Sequence, residues 1–244
     1  IWAHRGCSMA YPENTLPAFE AAAKLSNVTG IELDVQLSKD GEIVVFHDES
    51  VSRVTDGEGR IADLTFQELR ELRFKHDNSQ TFIPTLREVL KLLKPYCVQM
   101  GLLINIELKT GVVHYQDIEK MTISLVKEFG MQDYIVYSSF WAESLKLIKK
   151  YDSSAKTGML AGNLSDCIKG AHAVKAEALH PWIGGMDCVV PAEMRQFPIR
   201  AYNGDEPFYQ DGRTLRIRSL TDYAMFGVTD IFTNAPEKYI TENF

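Results

Sequence analysis

Four short stretches place ionisable residues where apolar runs end. His4 and Arg5 close IWAH, and Glu32 and Asp34 sit two apart inside GIELDVQL. His47 and Asp48 end EIVVFH, and Glu107 and Lys109 sit two apart at the end of GLLINIELK. In a strand, residues two apart point to the same side, so each i, i+2 pair shares a face. Acids facing inward are costly to bury unless paired, hydrogen-bonded or metal-bound. Glu32, Asp34 and Glu107 together would make an all-oxygen site, which suits Mg²⁺ or Ca²⁺ better than zinc. The plainer alternative is strand-edge charge neutralised by Arg5 and Lys109.

Two histidines allow a second kind of chemistry. One can take a proton from a nucleophile while the other protonates a leaving oxygen, a pairing open to His4 and His47. Arg5 and Lys109, beside the acids, could hold a phosphate. His76, His114 and His172 fall in insertion, loop or helix and read as structural. His180, at a strand end before Pro181 and Trp182, is placed to line the pocket, with core or rim packing as the favoured reading. Gly6, after Arg5, reads as room for backbone to pass close to a substrate.

These residues need elements to position them. Strands are expected at 1–4, 30–37, 101–109, 133–140, 155–161, 176–182, 198–204 and 229–234, with 42–47 as the return strand of a hairpin turned by KDG. Helices are expected at 12–25, 65–73, 117–130, 141–151 and 164–175, with a short helical segment at 191–197 and a last helix at 214–227. A further helix at 85–96 is expected to stop near Pro95. Asn14 or Thr15 is the expected N-cap before Pro17. Eight strands alternating with helices favour a (β/α)₈ TIM barrel, an α/β fold, over an open doubly wound sheet. No GxGxxG or GxxxxGK[ST] follows the first strand. The polar, turn-rich stretch at about 48–82 reads as a small insertion after the second strand. In such a barrel the C-terminal strand ends carry the chemistry.

The 244 residues suit one barrel domain spanning 1–244, since such barrels run to about 250 residues. The net charge of −7 disfavours a broad nucleic-acid grip. No apolar run approaches the roughly 18 residues that span a bilayer, so no stable membrane insertion is expected. The four cysteines, Cys7, Cys97, Cys167 and Cys188, are scattered without a CxxC pair. That spacing argues against a zinc cluster and favours a reducing, cytoplasmic setting. A secreted or periplasmic location stays open, because the chain starts at Ile rather than Met. Oligomeric state is open.

The stretches HRG, PENTLPAFEAA, GIELDVQLSKDGEIVVFHD, RVTDGEG, IPTLREVL, INIELK and GVTDIFTNAP, in this order, resemble the glycerophosphodiester phosphodiesterase family. The resemblance covers most of the chain and is densest in residues 1–110. It implies a (β/α)₈ barrel and divalent-metal-dependent hydrolysis of a small glycerophosphodiester to glycerol 3-phosphate and an alcohol. It implies acid/base roles for His4 and His47, metal ligation by Glu32, Asp34 and Glu107, and substrate contacts from Arg5, Lys109 and Tyr202. Tyr202 stands where family members often carry Trp, with Asn203 or Asp205 near the following Asn. Asn234 stands where Asp is common. Neither departure falls on the proposed catalytic set; the first bears on substrate fit. Two other readings keep the same barrel: a lysophospholipase D-like or other phosphodiesterase, and a non-catalytic phosphodiester-binding protein.

Overall fold

A computed structural model describes residues 1–75, 81–186, 190–202, 224 and 227–239. The described strands run β1 (Trp2–His4), β2 (Gly30–Leu37), β3 (Ile43–Val45), β4 (Leu103–Leu108), β5 (Ile135–Ser139), β6 (Lys156–Ala161), β7 (Ala178–Pro181), β8 (Arg200–Ala201) and β9 (Asp230–Thr233). Eight of them lie parallel in the order β7-β6-β5-β4-β2-β1-β9-β8. Parallel bridges Leu179–Ile199 and Trp182–Tyr202 bring β8 back to β7, so the sheet curls into a (β/α)₈ barrel. β3 stands off this ring and pairs antiparallel with β2, as the hairpin reading requires.

Helices α1 (Leu16–Ala23), α3 (Leu86–Met100), α4 (Ile118–Phe129), α5 (Ala142–Tyr151) and α6 (Leu164–Val174) cover the outside, and α2 (Phe66–Glu71) lies in the 48–82 stretch. The outward residues of the strands are apolar. Ile31, Leu33 and Val35 of β2 and Ile104, Ile106 and Leu108 of β4 pack with Phe19, Leu90, Leu93 and Val126 from the helices. The inward residues alternate with these, so the ionisable groups of β2 and β4 face the barrel axis. The lower end of the axis is plugged by Trp2 and Phe232, whose rings lie 5.8 Å apart.

The described part of the 48–82 stretch adds a second small core. Val51, Ile61, Leu69 and Phe74 pack with Val44, Phe46 and Ile83. A Thr65–Glu68 capping box starts α2, and Arg70 reaches across to the Glu88 carboxylate of α3.

Two expectations change and one alternative is decided. Helix α3 does not stop at Pro95 but runs on to Met100, ending at Gly101 with φ 72°. Pro95 is on the exposed face, so the carbonyl its ring leaves unbonded meets solvent, while Cys97 beyond it is buried in the core and holds the last turn down. Of the two expected N-caps, Thr15 holds the α1 position, though its hydroxyl donates back to the Pro12 carbonyl (2.6 Å) rather than capping. The space at Gly6 serves the fold and not a ligand. With φ +82°, its missing Cβ would lie 2.6 Å from the Ala18 carbonyl carbon, so Gly6 lets the β1–α1 loop press against helix α1. The expected helix at 214–227 is undescribed but for residues 224 and 227; Asn203, Asp205, His76 and Cys188 lie outside the described residues. No described helix is long and apolar enough to cross a membrane.

Candidate active site

The C-terminal ends of the parallel strands converge on a cavity of about 400 Å³. Its lining includes His4, Arg5, Glu32, His47, Glu107 and Tyr202 from the expected set. Asp34 and Lys109 complete the cluster through their ion pairs with Arg5 and Glu107. The seven predicted ionisable groups therefore meet, together with Tyr202, at one end of one barrel.

The acids come first because they cost most. Glu32, Asp34 and Glu107 are all buried, and a carboxylate oxygen from each lies within 4.8 Å of the others. Burial, Asp34 and Glu107 push Glu32 well above the usual carboxylate range. Burial likewise raises Glu107, against the pull of Lys109, whose Nζ donates to Oε1 at 2.9 Å. Burial would raise Asp34 too, but His47, Lys109 and Arg5, with a hydrogen bond from Asn14 Nδ2 (2.8 Å), hold it below its ordinary value. Glu32 Oε1 and Asp34 Oδ1 are buried without a hydrogen-bond partner. Five carboxylates of this cluster (Glu13, Glu32, Asp34, Asp48, Glu107) face three cations (Arg5, Arg53, Lys109), a surplus of two negative charges. Two buried oxygens without a hydrogen bond, a third carboxylate beside them and that charge surplus fit a hard divalent cation.

The histidines sit on either side in different settings. His4 Nδ1 donates to Asn234 Oδ1 at 2.6 Å, which leaves the Nε2 lone pair turned toward Glu32, 3.9 Å away. Burial and the Arg5 guanidinium lower His4 to about 3, so its ring is neutral near pH 7. His47 Nδ1 instead meets a carboxylate, Asp48 Oδ1, at 2.6 Å. That contact fixes which nitrogen faces the cavity and sets a negative charge behind the ring. Gln36 holds the loop that carries His47, donating to the carbonyls of Phe46 (2.9 Å) and Asp48 (2.8 Å), and Tyr115 steadies Gln36 in turn (2.9 Å).

Arg5 adopts left-handed backbone, φ 58°, a strained choice for a side-chain-bearing residue. That turn lets its N–H donate to Glu32 Oε2 (3.0 Å) and brings Nε to 3.5 Å from Asp34 Oδ2. Tyr202 stands at the rim, its ring edge-on to Phe140 at 5.9 Å.

A model of the glycerophosphoryl diester phosphodiesterase family matches residues 4–238. The chain belongs to this family. A glycerophosphodiester phosphodiesterase of Caldanaerobacter subterraneus is 41% identical over 187 residues, 75% of each chain. Another, from Bacillus altitudinis, is 32% identical over 245 residues, 98% of this chain and 96% of its own. The solved structure of an Oleispira antarctica phosphodiesterase in complex with the product sn-glycerol-3-phosphate shares the fold with a TM-score of 0.77 and 26% identity, covering 97% of this chain and 93% of that one. As a member of the family the chain is a phosphoric diester hydrolase.

Sequence reasoning missed several residues that this phosphodiesterase uses to hold its site. Asn14, weighed only as a helix cap, is buried and clasps Asp34 from both sides, through Nδ2 and by accepting the Asp34 N–H (3.3 Å). Asn234, set apart from the catalytic set, is bonded directly to His4 and also accepts from Ser8 Oγ (3.1 Å). Arg53, from the 48–82 stretch, donates to Asp48 and, through NH1 (3.0 Å) and NH2 (2.6 Å), to Glu13, which in turn takes a bond from Arg5 (3.1 Å). The alternation His47–Asp48–Arg53–Glu13–Arg5–Asp34 ties the histidine loop to the acids. Arg53→Met should therefore lower kcat by about 10-fold, as loss of an outer partner commonly does. Arg53→Lys should not restore it, because one ammonium cannot span both carboxylates. Equal kcat in wild type and Arg53→Met would refute the linkage. His114, read as structural, stacks on Trp141 at 3.9 Å, and His180 is buried and lines the cavity, the alternative its strand-end place left open.

Proposed function

We propose that the chain hydrolyses glycerophosphodiesters to sn-glycerol 3-phosphate and an alcohol, with a divalent metal and with His4 and His47 as the acid/base pair. The observation that carries this reading is the buried triad, with two oxygens that lack a hydrogen-bond partner, lying between two differently held imidazoles beside one small cavity. Glu32, Asp34 and Glu107 would hold the ion, Mg²⁺ or Ca²⁺ by the hardness of their oxygens. When bound, such an ion polarises the phosphoryl group as a Lewis acid.

The rest falls to the chain's own groups. Arg5 at the cavity wall and Lys109 behind Glu107 and Asp34 place positive charge where phosphate oxygens would gather. One histidine takes the proton of the nucleophile and the other gives a proton to the departing alkoxide, so that water is added across the P–O bond. A neutral ring facing an acid cluster and a ring backed by a carboxylate supply the asymmetry that two opposite proton transfers need. The barrel from 1 to 244 acts here as one unit, with the 48–82 insertion lending Arg53.

The test is product analysis with glycerophosphocholine in the presence of Mg²⁺, Ca²⁺ or Mn²⁺ and with a chelator. The expected result is glycerol 3-phosphate and choline, formed with at least one of the ions and abolished by chelation. Release of phosphocholine, or undiminished rate in chelator, would overturn it. Preference for lysophosphatidylcholine over glycerophosphocholine would favour a lipid substrate for the same site.

A further inference from the structure

Lys109 owes its place to a tight turn, and that turn is held from outside the catalytic cavity. The Lys109 N–H donates to the Val35 carbonyl of β2 (3.1 Å), and the next N–H, of Thr110, folds back to the Leu108 carbonyl (2.9 Å). This three-residue turn leaves Lys109 on the side of Glu107, with Nζ 2.9 Å from Glu107 Oε1 and 3.8 Å from Asp34 Oδ1. One backbone hydrogen bond does little to fix such a turn. The Thr110 side chain, fully buried and absent from the cavity lining, does more.

Thr110 Oγ1 lies 2.7 Å from Ser144 Oγ on α5, and Ser144 Oγ donates to Glu119 Oε1 on α4 at 2.5 Å. A carboxylate only accepts, so the single Ser144 proton belongs to Glu119, and Thr110 must donate to Ser144 rather than to the Leu108 carbonyl at 3.4 Å. Ser139 Oγ, 3.3 Å from Thr110 Oγ1, gives its own proton to that carbonyl (2.9 Å) and accepts the Trp141 N–H (3.0 Å). The hydroxyls therefore run one way, from the turn to a buried acid. Glu119 is 3% exposed, and the group it bonds is a hydroxyl rather than a cation. Its place in the first turn of α4 offsets part of that cost, since a helix N-terminus favours an anion. An apolar side chain of similar volume would fill the same space more cheaply. The backbone of Thr110 is held as well: its carbonyl accepts from His114 Nδ1 at 2.7 Å, and the His114 ring stacks on Trp141.

We infer that Glu119, acting through Ser144 and Thr110, is a positioning residue that fixes the turn bearing Lys109 and so holds its ammonium beside the acid cluster, where a phosphate can use it. The inference rests on the proposed role of Lys109 in binding a glycerophosphodiester and adds three residues outside the cavity to that role.

Two measurements test it apart from turnover. Hydrogen exchange followed by mass spectrometry reads the turn in the segment 105–114. Calorimetric titration with sn-glycerol 3-phosphate, Mg²⁺ or Ca²⁺ present, reads the placement of Lys109. Thr110→Val keeps the shape and removes the hydroxyl, and Ser144→Ala, the milder change, removes the middle link. Each should speed exchange in 105–114 with β7 unchanged, and weaken binding about 10-fold, as loss of an outer partner commonly does. Thr110→Ser should keep both values near those of wild type. Glu119→Met, which removes the terminal acceptor, should weaken binding alone but add nothing to Thr110→Val, because the chain is already cut. Unchanged exchange in both Thr110→Val and Ser144→Ala, faster exchange with unaltered affinity, additive losses in the double variant, or no binding in wild type would overturn the inference. Hydrolysis of glycerophosphocholine is read separately. The expected binding losses without hydrolysis in wild type would sink the catalytic reading and keep the positioning; hydrolysis with unaltered affinity in the variants would do the reverse.

Discussion

His47→Ala and His4→Ala are each expected to lower kcat on glycerophosphocholine by about 10²–10⁴-fold, the range of a lost general acid or base. The two losses should differ in form. His47 is partly exposed and bonded through Nδ1 to Asp48, so its removal should leave folding nearly intact. His4 is buried and bonded to Asn234, so His4→Ala should also lower the unfolding midpoint in urea. Asp48→Asn keeps the size of the side chain and removes the charge behind His47. It should cost less than His47→Ala and more than a surface change. The measurement is steady-state turnover beside denaturant unfolding for the three variants. Near-full turnover in either histidine variant would end the acid/base assignment.

Glu32→Gln should separate stability from function. In wild type, three carboxylates crowd one buried site and burial raises Glu32 and Glu107 above their ordinary values. Acids raised in the folded state bind protons there that the unfolded chain has lost. Their burden is therefore small near pH 4.5 and grows as pH climbs through the raised values. Asp34, held below its ordinary value, works in the opposite direction, its contribution being lost as pH falls below about 3.8. At pH 7.5 without metal, Glu32→Gln removes one of the repelling charges and keeps an oxygen for the Arg5 N–H, so its melting temperature should equal or exceed that of wild type.

Adding Mg²⁺ or Ca²⁺ at about 100 times Kd should stabilise wild type by about 2.7 kcal/mol, or roughly 5–10 °C for a chain of this length. The variant should gain little and lose most turnover. Protons compete for the same oxygens, so the wild-type gain should shrink from pH 7.5 to pH 5. An equal metal-induced rise in variant and wild type would remove Glu32 from the ligand set.

The strands and their charged ends were legible because period-two alternation states both where a strand lies and which side each residue faces. Glu32 with Asp34, and Glu107 with Lys109, needed only that rule to be placed together. The family resemblance drew on those stretches and also on PENTLPAFEAA, RVTDGEG, IPTLREVL and GVTDIFTNAP. Residues whose role depends on the path of a loop were hidden. Asn14 and Glu13 belong to PENT, which reads locally as a helix start, yet their side chains turn inward to Asp34 and to two arginines. Arg53 lies in a segment with no periodic signal, and only the fold of residues 48–82 delivers it to Asp48. Pro95 misled because the rule against proline in helices assumes an enclosed carbonyl, and here the affected turn faces outward.

The bond between His4 and Asn234 joins residues 230 positions apart. During synthesis the acids of β2 and β4 emerge early and can fold against their helices, but the partner that orients His4 leaves the ribosome only after almost all of the barrel has been made. Closure of β1 against β9 and orientation of the His4 ring by Asn234 therefore belong together. If His4 carries a proton as proposed, a nascent or truncated chain would hold the acid cluster without an aligned proton carrier, and reactivity would wait until the ring is shut.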